Sequence, residues 1–431
     1  MMEIQVSRLR NALLLLEPIV PRKVGKKGAS SMPILTNVLL QDGRAYATDL
    51  EVGATIDLPE VKGQALLPFK AVWELLRLVP GNSVLTIEAQ KRSLSLSWPG
   101  GQSAYTVLSA ADYPAIPQFA PLLTQRIQGN ILVSALSSVV GFCAADNDKR
   151  PVLNGVSLFL GEKPMVAGAD GFWLGYKKLP IAMPESNGMK TMVIPSRSVE
   201  ILEHLWKRGP RPQPQNGGNL VELVASKGNL EIEANKTYMK ARFGEVALYT
   251  RLIDGTPPDF MQLVPVDLTN TLQIYAADLE MAVQRVKKTA KDGSDIVRMT
   301  WADGKMTVSA KAAEESSVET DIPVQTQNGP GKIAVDIAHL LKYIKGREGL
   351  ITMQTKDHNK PLVLRHGTSP TVVLMPMFVQ WPGEPPANLP APTAEAKVET
   401  EAEASEKTEP PEEPEEGGEE PGTTEPAEAA E

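Results

Sequence analysis

The sequence predicts an α+β protein built from three tandem copies of one module, each with two helices on one face of antiparallel sheets. Three observations predict it. Six amphipathic helical stripes occur in three pairs, the members of each pair stand almost the same distance apart, and the stretches around them alternate with period two. The first members carry their apolar residues at Leu9, Leu13 and Leu16, then at Leu136, Val139, Val140 and Cys143, then at Leu279, Val283 and Val286. The second members read Val72, Leu75, Leu76 and Val79, then Val199, Leu202 and Trp206, then Ile337, Leu340, Leu341 and Ile344. Each is one buried stripe on an otherwise polar helix.

Spacing carries the repeat. Leu9 to Pro68 and Leu136 to Pro195 are both 59 residues, and Leu279 to Asp336 is 57. The first two copies are offset by 127 at both helices. Pro68, Pro195 and Asp336 stand at the entrances of the second helices, where a missing N–H costs nothing or a carboxylate can cap. The strand-like runs include RSLSLSW from Arg92, NLEIEA from Asn229 and RMTWADGKMTVSA from Arg298. Asp42-Gly43 and Asp303-Gly304 fall between such runs, where a two-residue hairpin needs left-handed dihedrals. The proline-bearing stretches DYPAIPQF and GTPPDF follow the last strands of a copy and read as linkers. They set expected domains of 1–123, 124–260 and 261–381.

The chain has 431 residues, 42% apolar and 22% charged, with a single cysteine. It contains no run of about 18 apolar residues and no basic-then-apolar leader after MMEIQ. A disulfide scaffold, a secretory signal and a membrane helix are therefore not expected, and the reading is a soluble cytoplasmic protein. From Pro382 onward 16 Glu and 2 Lys give −14, so of the net −8 the first 381 residues carry +6. Residues 382–431 have too little apolar surface to offset their ordering entropy and read as a disordered acidic Pro/Glu-rich tail.

The basic body points to a polyanion partner. Its candidate contacts are Arg8, Arg10, Lys149, Arg150, Lys207, Arg208, Lys287 and Lys288 on or near the helices, with Arg22, Lys23, Lys26 and Lys27 in a loop. If consecutive copies pair sheet edge to sheet edge, their helices share one side and line it.

Catalytic constellations are thin. His204, His339, His358 and His366 have no metal-ligand spacing, Cys143 falls on a core stripe, and GKKGASS lacks the ending of a phosphate loop. Asp146, Asp148 and Asp170 could surround Mg²⁺, which keeps a metal-dependent nucleic-acid hydrolase as an alternative; a repeat scaffold binding proteins without DNA is another. No cofactor is expected.

A set of ordered motifs goes further. MPILTNVLL with GRAYATDLEVG, then AADYPAIPQF, RPVLNGVSLFL, ADGFWLG, RLIDGTPPDF and VVLMPM resemble the bacterial DNA sliding clamp, the beta subunit of DNA polymerase III, across residues 1 to about 377. The resemblance implies a three-domain chain that dimerises head to tail into a six-module ring around double-stranded DNA, without catalysis and without a membrane. It implies docking of the DNA polymerase III catalytic subunit, the clamp loader, and other polymerases and repair proteins through one apolar peptide pocket. Carried across by motif, that pocket uses Leu153, Gly171, Leu174, Pro258, Leu263, Val373, Leu374, Met375, Pro376 and Met377. The chain departs from the family's pattern at Ala169, at Phe172 and Trp173, where His-Arg is usual, and at Gln262, where Arg is frequent, so aromatic bulk replaces polar pocket contacts.

Overall fold

The computed structural model describes residues 1–21, 32–145, 149–209, 228–312, 316–327 and 329–381. Met1–Phe378 form one compact unit and Val379–Glu431 a second. The acidic segment 382–431 and the loop cations Arg22, Lys23, Lys26 and Lys27 lie outside the described residues, as do Asp146 and Asp148.

The larger unit repeats one topology three times. In the first copy β1 (Met2–Gln5) leads into α1 (Val6–Leu16), followed by β2 (Asn37–Gln41), β3 (Arg44–Thr48), β4 (Val52–Asp57) and β5 (Gln64–Pro68). Then come α2 (Phe69–Leu76), β6 (Val84–Gln90), β7 (Ser93–Trp98) and β8 (Gly101–Thr106). The strands make two antiparallel sheets, ordered β5-β2-β3-β4 and β1-β6-β7-β8.

The second copy runs β9 (Leu123–Gln128), α3 (Gly129–Val139), β10 (Gly155–Phe159), β11 (Met165–Ala169), β12 (Trp173–Lys178), β13 (Thr191–Pro195), α4 (Ser196–Arg208), β14 (Asn229–Ala234), β15 (Tyr238–Phe243) and β16 (Val246–Arg251). The third runs β17 (Asn270–Tyr275), α5 (Ala276–Lys291), β18 (Ile296–Ala302), β19 (Lys305–Lys311), β20 (Ser317–Pro323), β21 (Gln325–Gln327), β22 (Gly331–Asp336), α6 (Ile337–Ile344), β23 (Leu350–Thr355), β24 (Leu362–Arg365) and β25 (Thr371–Leu374). Their strand orders, β13-β10-β11-β12 with β9-β14-β15-β16, and β22-β18-β19-β20 with β17-β23-β24-β25, repeat the first copy's orders; among the described strands β21 alone is extra.

Adjacent copies share sheets. β4 pairs antiparallel with β16, from Val52↔Thr250 to Ile56↔Val246, and β12 pairs with β25, from Trp173↔Leu374 to Tyr176↔Thr371. An eight-stranded and a nine-stranded sheet result, each spanning two copies. In each copy the two sheets enclose the helix pair in a common apolar core.

The helices explain the repeat and correct one detail of it. Buried positions common to the three helices are Val6, Leu9, Ala12, Leu13 and Leu16 in α1, Gly129, Leu132, Ala135, Leu136 and Val139 in α3, and Ala276, Leu279, Ala282, Val283 and Val286 in α5, with Leu15, Val133 and Ala290 buried besides. The three sets have identical spacing, so Leu9 corresponds to Leu132 and the offset at the first helix is 123 rather than 127. An amphipathic stripe recurs every turn, so periodicity alone cannot choose between registers one turn apart. Full burial of each leucine contributes about 1.5–3 kcal/mol. α3 ends at Val139, and Cys143 sits beyond the following 3-10 turn, where burial pushes its thiol up to about 11.

At the second helices Pro68, Pro195 and Asp336 occupy the N-cap positions, and the Asp336 carboxylate accepts from the His339 amide. Asp42-Gly43 and Asp303-Gly304 both take positive φ, +47° and +76°, +50° and +78°, as two-residue hairpin turns demand. The proline stretches also fold back. Tyr113 packs edge-on against Tyr46, and its hydroxyl bonds the Thr48 amide and the Asn37 carbonyl, while Phe260 packs edge-on against Phe159.

Candidate partner pocket and basic surface

Two junctions join the three copies, and both are organised by an aspartate in the turn after an equivalent strand. At the first, between β3 and β4, Asp49 Oδ1 accepts from the amides of Glu51 and Val52 at 3.1 and 2.8 Å. At the second, between β11 and β12, Asp170 Oδ1 accepts from Phe172 and Trp173 at 2.9 and 3.0 Å. Leu50 and Gly171 hold the same left-handed place, with φ +84° and +96°. A side chain at Gly171 would also collide with Arg150, whose guanidinium donates to the Asp170 carbonyl at 2.9 Å.

The other carboxylate oxygen reaches into the next copy. Asp49 takes Arg197 of α4 at 2.8 Å, and the same guanidinium donates to the Pro18 carbonyl beyond α1. Asp170 takes His339 Nε2 of α6 at 3.0 Å, while Lys342 donates at 2.6 Å to the Gly141 carbonyl beyond α3. One arginine thus does at the first junction what a histidine and a lysine share at the second.

His339 is held from both sides, because its Nδ1 lies 2.8 Å from Asp336 Oδ1. The bond to Asp170 and then that to Asp336 push its pKa up to about 9. Burial opposes ionisation of both carboxyls, but their bonds from His339 and from backbone amides prevail and hold them below the ordinary carboxylate range. Trp173, buried, fills the space beneath: Phe142 packs at 4.5 Å, His339 edge-on at 4.8 Å, and the Lys342 ammonium stands 4.9 Å over the ring. Gly175 admits Phe142, since a Cβ there would come within 2.3 Å of that ring.

The expected pocket residues divide by face. Leu153, Leu174 and Val373 meet in one apolar cluster with Ala169, Phe260 and Val363. Trp173 and Leu374 point to the opposite face, into the main core, as strand alternation requires. The Met375 amide bonds the Phe172 carbonyl at 2.9 Å and the Met377 amide bonds Ala334 at 2.8 Å, so the segment through Pro376 bridges the second and third copies. Pro258, Gln262 and Leu263 are exposed around a short 3-10 turn capped by Asp259, onto which the Gln262 amide folds at 3.2 Å. Phe172 (58% exposed), Leu263 (40%) and Phe378 (71%) leave apolar surface in solvent. Asp170 serves the turn and His339, and no metal-binding cluster of His, Cys, Asp or Glu occurs among the described residues.

The basic candidates also divide. Arg8 is engaged at the first junction, bonding Glu245 at 2.8 Å and the Asp57 carbonyl; its bond to Glu245 outweighs burial and raises its pKa. Arg10 donates to the Leu76 and Val79 carbonyls at the end of α2. Lys207 pairs with Glu203 along α4. Lys149, Arg150, Arg208 and Lys288 are exposed and Lys287 is half-buried.

Comparison with known proteins fixes the family. The family models for the central and C-terminal domains of the DNA polymerase III beta subunit match residues 126–259 and 261–378. The chain belongs to the DNA polymerase III beta subunit family. It is 24% identical over 355 residues to the beta sliding clamp of Caulobacter vibrioides, covering 78% of this chain and 88% of that one. Against the beta sliding clamp of Synechococcus elongatus it is 22% identical, covering 86% and 94%. The DNA polymerase III beta subunit of Pseudomonas aeruginosa superposes with a TM-score of 0.75 at 20% identity, covering 88% of this chain and 100% of that one, and that of Thermotoga maritima with 0.72 at 19%, covering 88% and 99%. Membership makes the chain a sliding clamp, a non-catalytic class.

Proposed function

We propose that two copies of this chain close head to tail into a ring around duplex DNA and hold a replicative polymerase on its template. The observation that carries the reading is the rule by which copies of the module join. The fourth strand of one sheet, β4 or β12, takes the last strand of the next copy, β16 or β25. Applied once more, β20 takes β8 of a second chain; both are largely exposed edge strands of their four-stranded sheets. Exposed edges of this kind need a partner or protection.

Modules of residues 1–123, 124–260 and 261–381 then bring the cations of each helix pair to one lining. Phosphate contacts there are independent of sequence, and enclosure rather than affinity retains the DNA. The apolar surface around Leu153, Phe172, Leu174, Leu263, Val373 and Met375 takes short apolar peptides of the polymerase catalytic subunit, the clamp loader, and other polymerases and repair proteins. The setting is the cytoplasm.

Loading the protein on a nicked circular duplex and then linearising the DNA tests the reading, with the native mass measured in parallel. Escape on linearisation and about twice the 46.7 kDa chain mass are expected. A monomer that leaves circles and linear DNA equally fast overturns it.

A further inference from the structure

We propose that His339 is a positioning residue for the peptide pocket: its imidazolium fastens the Asp170–Trp173 turn of the second module to α6 of the third and so fixes where Phe172 and Trp173 stand. The functional consequence rests on the pocket reading above; the fastening itself rests on geometry. Each ring nitrogen faces a carboxylate oxygen, Nε2 with Asp170 at 3.0 Å and Nδ1 with Asp336 at 2.8 Å. A neutral imidazole has one N–H and one lone pair, so it can satisfy only one of these acceptors, and the arrangement requires both nitrogens to be protonated. Loss of the proton sets a lone pair against a carboxylate and releases one side of the joint.

What moves on release is readable from the turn. Asp170 uses its other oxygen to hold the Phe172 and Trp173 amides, and the Phe172 carbonyl accepts from Met375. His339, Asp170, Phe172 and Met375 are therefore one chain of bonds ending in two pocket residues. Among the described residues, five charged or titratable groups face this cluster. They are Asp170 in the turn, Asp336 at the N-cap of α6, Lys342 one turn further along α6, Arg150 before the Leu153 turn, and the Cys143 thiol, which burial keeps neutral. The two carboxylates dominate, and their bonds push His339 up to about 9. The first junction has no such release, because the residue that bonds its turn aspartate is an arginine, whose guanidinium keeps its charge.

Trp173 reports the joint directly, since a protonated imidazole in contact with an indole quenches its emission and the two ring centroids lie 4.8 Å apart. Titrating tryptophan emission of the full chain is expected to give a rise with a midpoint of about 9. The rise should be absent in Trp173→Phe and in His339→Gln, and in Asp170→Asn it should shift down toward the ordinary histidine value of about 6.5. Calorimetry with an acetylated Gln-Ala-Ala-Leu-Phe peptide is expected to show binding about tenfold weaker near pH 10 than near pH 7, with no such difference in His339→Gln. If His339→Gln does not fold, Asp170→Asn decides by its midpoint. An emission profile flat through the alkaline range overturns the proposal, and so does peptide affinity indifferent to pH. A wild-type chain that binds no peptide at either pH instead overturns the pocket reading, and the emission titration still decides the joint.

Discussion

The junction between the first and second modules and that between the second and third share one plan and differ in chemistry. Both use a turn aspartate bonded to two amides and reaching into the next module. The first completes it with arginine, and adds Arg8 to Glu245 and Arg242 to Asp57, each at 2.8 Å. The second completes it with a histidine between two carboxylates, above a buried tryptophan. A fold repeated three times can therefore keep its bonding plan while exchanging a permanent charge for a titratable one. The exchange occurs beside the candidate pocket.

The largest expected effect separates the two junctions by packing. Trp173→Ala removes contacts with Phe142, His339 and Lys342 and should lower stability by about 3–5 kcal/mol in thermal or denaturant unfolding. Val52, at the equivalent place in the first junction, should lose only about 1–3 kcal/mol on truncation to alanine. Equal losses would mean that the tryptophan is not what holds the second junction.

Next in size is the charged bond of the first junction. Asp49→Ala leaves Arg197 without its carboxylate and the turn amides without their acceptor, at a cost of about 1.5–3 kcal/mol. That loss should be unchanged between about pH 6 and pH 9, because arginine does not titrate there.

At the second junction the pH dependence has a sign. His339 has a folded pKa above its unfolded one, so its contribution is fully present below about 6.5 and fades as pH rises to about 9. Asp170 and Asp336 are held low, so theirs is present above the ordinary carboxylate range and is lost only as pH falls through their depressed values. The melting temperature of the wild type should therefore drop between about pH 6.5 and 9 by more than that of His339→Gln. Parallel curves would remove the titratable half of the comparison.

The smallest effect lies at Leu50, which holds φ +84° where the second junction has Gly171, with its side chain half exposed. Leu50→Gly relieves left-handed strain of about 1–2 kcal/mol but adds unfolded-state entropy, so a net gain of up to about 1 kcal/mol is expected in denaturant unfolding.

Much of this fold is legible from local signals. Pro68, Pro195 and Asp336 mark helix entrances because capping acts within a few residues, and Asp-Gly pairs mark hairpins because the turn demands their dihedrals. The helix register is less legible: a stripe seen from Leu136 looks the same one turn earlier, and only the strand preceding each helix sets the count. The motifs at Leu153, Leu174 and Val373 name residues that do meet in one apolar cluster at the candidate pocket. The fastening beside it is not legible in this way, since Asp170 and His339 are 169 residues apart and neither neighbourhood names the other. The same distance blindness affects the cations. Arg8 and Arg10 read as surface charge, yet Glu245 occupies one and the end of α2 the other.

The sharing of sheets between modules has a consequence for the chain as it is made. β4 is complete roughly 190 residues before β16, which at about 5–20 residues per second leaves its edge uncovered for some 10–40 seconds of synthesis. β12 waits a similar interval for β25, and among the described strands none of its own chain covers the free side of β20. On the proposed head-to-tail pairing, a newborn copy offers that edge as an open seam, and what meets it first, a sister chain or an aggregate, is decided by their relative concentrations.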